Sequence, residues 1–137
     1  MSAPVEVPEE VVERVRALCL ALPEVTVRVD PSRTPARSTA LSFDIRRRSF
    51  CLLLAWSNAA GQRVTALVLR SDPDEREVLL SMGHPFHASG AGRDRVAVVL
   101  SDDTDWEEIR ELVTDSYRLL APKKLIALLD SGQARTD

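Results

Sequence analysis

Read for the spacing of its apolar residues, the chain opens on a helix. Val11, Val12, Val15, Leu18, Cys19 and Leu22 recur three and four apart and line one side of a helical wheel. Pro8 suits the first turn, Glu9 and Glu10 sit where the helix dipole is positive, and Pro23 ends the run. Val25, Val27 and Val29 then alternate briefly, predicting a short extended piece. The Pro-, Ser-, Thr- and Arg-rich stretch that follows predicts an irregular loop. Three strands come next. Leu41, Phe43 and Ile45 alternate with polar residues as a half-exposed strand does, whereas Phe50 to Trp56 is apolar on both faces, as an interior strand is. Arg63 to Arg70 is the third, apolar from Val64 to Leu69 except at Thr65.

The second half is punctuated more sharply. Asp72 as cap, Pro73 at the first helical position, Glu75 completing a capping box and Gly83 beyond the end predict a short helix. "HPFH" predicts an extended piece, followed by a Gly-rich turn and a strand from Val96 to Leu100. Thr104 and Glu107 read as a second capping box. It opens a helix whose buried stripe is Trp106, Ile109, Leu112, Val113, Ser116, Leu119 and Leu120. Pro122 starts a separate helical segment, "PKKLIALLD". The resulting order, α-β(3)-α-β(2)-α, predicts an α+β fold of two layers, helices on an antiparallel sheet. The expected organisation is one domain over residues 1–130 and a polar tail over 131–137.

Strand alternation carries a packing consequence. Phe50, Leu52, Leu54 and Trp56 are expected on one face, Cys51, Leu53 and Ala55 on the other. Helices of a two-layer fold cover one face only, so the C-terminal segment or a second copy of the chain is expected on the other. A homodimer is therefore an expectation, with Leu53 and Leu67 as the positions where an added charge would disrupt that spare face.

Composition narrows the class without naming a function. At 137 residues, 45% apolar and 28% charged, the chain has the make-up of an ordinary globular domain. The N-terminus carries no basic-then-apolar leader, and the longest apolar run, ending at Trp56, is far too short for a bilayer. A cytoplasmic protein without a membrane partner is expected, with Cys19 and Cys51 as reduced, buried thiols. The net charge of −3 conceals a division. Residues 24–70 hold eight arginines against Glu24, Asp30 and Asp44, a net of +5, and the remainder carries −8. That division allows a cationic surface on an acidic chain.

Most catalytic chemistry lacks its signature. There is no GxGxxG after a strand and no GxxxxGK[ST]. His84 and His87 have no third ligand at metal spacing, and Asp102, Asp103 and Asp105 stand where helix caps belong. No spacing pairs a nucleophile with a base. The expectation is a chain that is not an enzyme and takes no cofactor and no metal. What remains is the hairpin tip Arg46-Arg47-Arg48 between two apolar runs. It reads either as a solvated turn that discourages edge pairing or as a wing whose guanidiniums reach phosphates. Arg33, Arg37 and Arg63 are candidates to enlarge that surface, and no aromatic residues interleave for base stacking.

"DWEEIRELVTDSYRLLAPKKL", Asp105 to Leu125, resembles the signature of the MmcQ/YjbR family of small bacterial proteins: a Trp-led acidic helix ending in Ser-Tyr, then a Pro-Lys-Lys segment. "VRALCLALPEVT", "SDPDEREVLL" and "HPF" follow the family's order elsewhere, so the likeness spans about Glu9 to Leu125. The resemblance implies a YjbR-like, secretion-chaperone-like two-layer fold and a DNA-binding role described as a double wing. The chain departs from the pattern in two places. Family members often carry a Gly-Lys turn where Arg46-Arg47-Arg48 stands, and the loop from Asp30 to Thr39 lacks the family's usual His-Gly-x-Pro-like stretch. The leading expectation is weak, backbone-directed DNA binding through Arg46, Arg47 and Arg48, supported by Arg63 or by Lys123 and Lys124. The alternative is a protein-interaction or chaperone-like module using the spare sheet face. A third reading is a small-molecule site around His84 to Arg93.

Overall fold

The first helix, α1 (Glu9–Leu20), forms where the valine spacing places it, and buries Val15 and Cys19 completely. The structure is a computed structural model that describes residues 5–90 and 92–135. After α1 come β1 (Thr26–Asp30), β2 (Ala40–Ile45), β3 (Arg48–Ser57) and β4 (Arg63–Arg70). They are followed by α2 (Pro73–Met82), β5 (Phe86–Ala88), β6 (Arg95–Leu100), α3 (Trp106–Leu120) and α4 (Lys123–Arg135). The strands form one sheet in the order β1-β2-β3-β4-β6-β5, antiparallel at every pairing. This is an α+β fold with helices layered on an antiparallel sheet. Among the described residues, no helix is long and apolar enough to cross a membrane.

Three local expectations are adjusted. The extended piece at Val25–Val29 is a full edge strand, because β2 offers it a partner from Thr26↔Asp44 to Asp30↔Ala40. The cap of α3 is Asp105, whose carboxylate accepts the Glu107 and Glu108 amides at 3.1 and 3.3 Å. The Thr104 hydroxyl is occupied instead by the Ser101 amide at 2.7 Å. The last helix runs to Arg135, into the stretch expected as a polar tail, of which residues 136–137 lie outside the described residues. In α2, by contrast, Asp72 caps as expected, accepting the Glu75 amide at 2.9 Å.

One irregularity decides how β3 presents its side chains. Phe43 pairs with Cys51 and Asp44 with Ser49, so Phe50 is an extra residue on β3, a β-bulge. The bulge breaks the alternation expected from the sequence. Phe50 is 1% exposed and joins Cys51, Leu53, Leu67, Leu69, Val96 and Val98 in the core beneath the helices, rather than sharing a face with Leu52. Leu53 and Leu67 therefore lie on the covered face, each 0% exposed, and are not on the spare one. Leu125 and Leu129 of α4 join that same core. The C-terminal segment is thus accounted for on the covered side. Leu52, Leu54, Trp56, Val64 and Val99 form the opposite face, half-exposed and outside the core cluster.

Candidate nucleic-acid interface

The β2–β3 connection is as short as a hairpin allows: Ile45 pairs with Arg48, and only Arg46 and Arg47 lie between. Both have positive φ, 52° and 69°, the signature of a type I′ turn, whose twist matches that of the strands. Such positions suit Gly or Asn, because a Cβ crowds the backbone in the left-handed region. Here two arginines occupy them. A third left-handed residue stands beside them. Glu24, at φ 60°, places its carboxylate 3.2 Å from Arg46 Nε and 3.4 Å from Nη2. Arg47 and Arg48 are exposed and carry no ion pair among the described residues.

Beneath the turn the framework is tightly tied. Ser116 of α3 donates to the carbonyl of the bulged Phe50 and accepts the Arg70 amide at 2.8 Å, so one buried hydroxyl bridges β3 and β4 just beyond their Cys51↔Leu69 pair. Tyr117 donates to the Pro23 carbonyl at 2.7 Å, next to Glu24, and its ring meets Phe50 edge-on at 5.5 Å. Burial, followed by the nearby Glu24 carboxylate, raises the Tyr117 phenol above its ordinary pKa, so it remains a donor at neutral pH. The Ser-Tyr pair is thus structural. It anchors the segment from which the turn is steadied.

The profile of the family described as YjbR matches residues 20–119. The chain belongs to the YjbR family. No curated protein and no solved structure matches it.

Within this YjbR-family chain, the six residues singled out for phosphate contact divide between two ends of the sheet. Arg48 lines a shallow groove of about 260 Å³ with Arg70, Asp94, Leu119 and Leu120. The exposed Lys123 and Lys124 come three and four residues after Leu120, so they belong to the same end as the turn. Arg63 does not. It pairs with Ser57, at the far end of the ten-residue β3, about 30 Å away at roughly 3.3 Å per residue. Arg37, bridged to Trp56, lies at that far end too.

Sequence reasoning missed two features near the turn. The first is Glu24, whose place opposite Arg46 depends on a fold contact 22 residues apart; the Leu-Pro-Glu turn was its only visible trace. The second is the Arg70–Asp94–Arg95 group at the ends of β4 and β6. Arg70 Nη1 lies 2.6 Å from Asp94, and its Nε donates to the Ser49 carbonyl at 3.0 Å. Burial acts to raise the Asp94 carboxyl, but the Arg70 guanidinium outweighs it and holds the pKa below the usual range. Arg95 Nε, buried and 3.9 Å from Asp94, has no hydrogen-bond partner among the described residues. Burial, then the neighbouring Arg70, lowers its pKa.

Proposed function

We propose that this YjbR-family chain is a cytoplasmic, non-catalytic protein that binds DNA through its phosphate backbone, using the Arg46–Arg48 turn as its contact. The observation that carries the reading is a two-residue arginine turn at the end of a hairpin, with Arg47 and Arg48 paired to no carboxylate among the described residues. A guanidinium keeps its charge at any physiological pH and grips phosphate oxygens through its planar fork. Glu24 is no obstacle. Its pair with Arg46 is about half exposed on both sides, a class of ion pair worth about 0–1 kcal/mol, and a phosphate can replace it. Lys123 and Lys124 extend the cationic end; Arg63, some 30 Å off, is outside this contact. Contact with three phosphates predicts a salt slope of about −3 in log K against log salt.

The test is a titration of labelled duplex at low and moderate salt. Wild type is expected to bind at low salt and weaken as salt rises, R46S/R47S/R48S to lose binding, and R63S to bind as wild type. Absence of binding at low salt, or a triple variant indistinguishable from wild type, overturns the reading.

A second reading rests on a separate observation, the half-exposed apolar face of Leu52, Leu54, Trp56, Val64 and Val99. In it the chain is an interaction module that pairs through that face, with a second copy as the simplest partner. Sedimentation of wild type against Leu54→Glu tests it: a dimer lost on substitution supports this reading, and a wild-type monomer at high concentration ends it.

A further inference from the structure

At the end of the sheet remote from the arginine turn, the segment Val5–Val7 lies along the loop joining β1 to β2, tied by the Val5 amide to the Pro35 carbonyl at 3.3 Å. Between this segment, α1 and the loop opens a cleft of about 600 Å³, a size typical of small-molecule sites. Its wall is aliphatic: Val5, Val7, Val12 and Leu41, each only half-buried. Its charged lining groups are Glu6, Arg33 and Arg37. Neither arginine has an ion-pair partner among the described residues, although the chain is acidic overall.

Arg37 is held in place from both sides. The Ser57 amide donates to the Ala36 carbonyl at 2.8 Å, and the Ser38 amide to the Ala55 carbonyl at 2.7 Å. Ser38 Oγ also accepts the Ala55 amide at 2.8 Å. The backbone on either side of Arg37 is therefore fastened to the end of β3, which limits the ordering that binding would require. Arg33 sits between Ser32 and Thr34, whose hydroxyl and backbone groups close the turn around it at 2.5 and 3.2 Å.

We infer that this cleft binds a small organic anion, its apolar body against the valines and its single carboxylate or phosphate head between Arg33 and Arg37. An aliphatic wall alone would accept any apolar molecule. Two uncompensated guanidiniums at its rim select an anionic head, through charge-assisted and bidentate hydrogen bonds. Glu6, in the same lining, disfavours an anionic head and sets a limit on affinity.

The experiment uses the full chain with octanoate and octyl phosphate as probes, octan-1-ol and acetate as controls, read by methyl NMR and calorimetry. Octanoate or octyl phosphate is expected to shift the Val5, Val7, Val12 and Leu41 methyl signals, and the tighter of the two identifies the head group. Octan-1-ol and acetate are expected to bind at least about ten-fold more weakly, each lacking half of the recognition. R33Q/R37Q should lower affinity for the better anion about ten-fold without changing thermal unfolding, and Glu6→Gln should raise it about two-fold. Octan-1-ol binding as well as the anions, unchanged affinity in R33Q/R37Q, or no methyl shift with either anion at millimolar concentration overturns the inference. R46S/R47S/R48S, altered only at the other end of the sheet, should bind the anion as wild type does, so this result is independent of the DNA titration.

Discussion

Leu53 and Leu54 are chain neighbours with the same side chain, yet one is 0% exposed beneath the helices and the other half-exposed on the opposite face. Period-two alternation separates them; packing makes the separation matter. The covered face holds Phe43, Leu53, Leu67, Val98, Ile109, Val113 and Tyr117 in one cluster, while the open face presents leucine, tryptophan and valine outside that cluster. A strand apolar on both sides therefore does not mean a strand buried on both sides. From sequence the second face is one that the C-terminal segment or a second copy should cover; in the structure α4 packs on the other side and Leu52, Leu54 and Trp56 stay half-exposed.

The sharpest way to break this comparison is to place a charge on each side of β3. Leu53→Asp buries an unpaired carboxylate in the core and is expected to cost more than about 4 kcal/mol, enough to unfold a domain of this size. Leu54→Asp should remain folded, with a cost under about 1 kcal/mol. Urea denaturation of the pair checks this, and equal losses would show that the two faces do not differ.

A smaller effect tests how the covered face is joined at the bulge. Ser116→Ala leaves the Phe50 carbonyl and the Arg70 amide without their partner and should cost about 2 kcal/mol, while Tyr117→Phe, losing one bond to Pro23, should cost about 1 kcal/mol. Thr114→Ala, whose exposed hydroxyl bonds only within its own helix, serves as the near-neutral reference in the same denaturant series.

Asp94 offers a pH-resolved comparison at the strand ends. Its folded pKa lies below the unfolded value, so its contribution is present above the unfolded carboxyl range near pH 4 and fades as pH falls through the folded value. The carboxylate is more than half exposed, which limits the contribution to about 1 kcal/mol or less. Asp94→Asn should thus be less stable than wild type at pH 7, and the gap in urea midpoints should close in strong acid. A gap that persists there would show that the ion pair with Arg70 is not its source.

The smallest change runs the other way. Arg47→Gly relieves a left-handed residue in the turn and should stabilise the fold by about 0.5 kcal/mol in thermal denaturation while weakening DNA retention at low salt. Loss of stability instead would mean that Arg47 makes a contact beyond its backbone role.

Much of this molecule was legible in the chain. The valine stripe of α1, the Asp72–Pro73 start of α2, the tight arginine turn and the break at Pro122 are local signals, written within a few residues and read by the same steric and capping rules that form them. Legibility failed where a partner distant in sequence decided. β1 became a strand because β2 lay beside it, and Thr104 lost the α3 cap to Asp105 because Ser101 claimed its hydroxyl. Leu119, placed in the buried stripe by its spacing, is 49% exposed because the helix turns Tyr117 inward against Phe50 instead.

The candidate site divides along the same line. Sequence by itself placed the arginines 46 to 48 at the β2–β3 hairpin end, since apolar runs flank them on both sides; the register then puts Arg46 and Arg47 in the turn and Arg48 at the start of β3. Tertiary structure decided that Glu24 meets Arg46, that Lys123 and Lys124 share that end, and that Arg63 stands about 30 Å away. The reason is physical: local pattern sets which face and which turn a residue occupies, but strand length and register, summed over the sheet, set which charges meet.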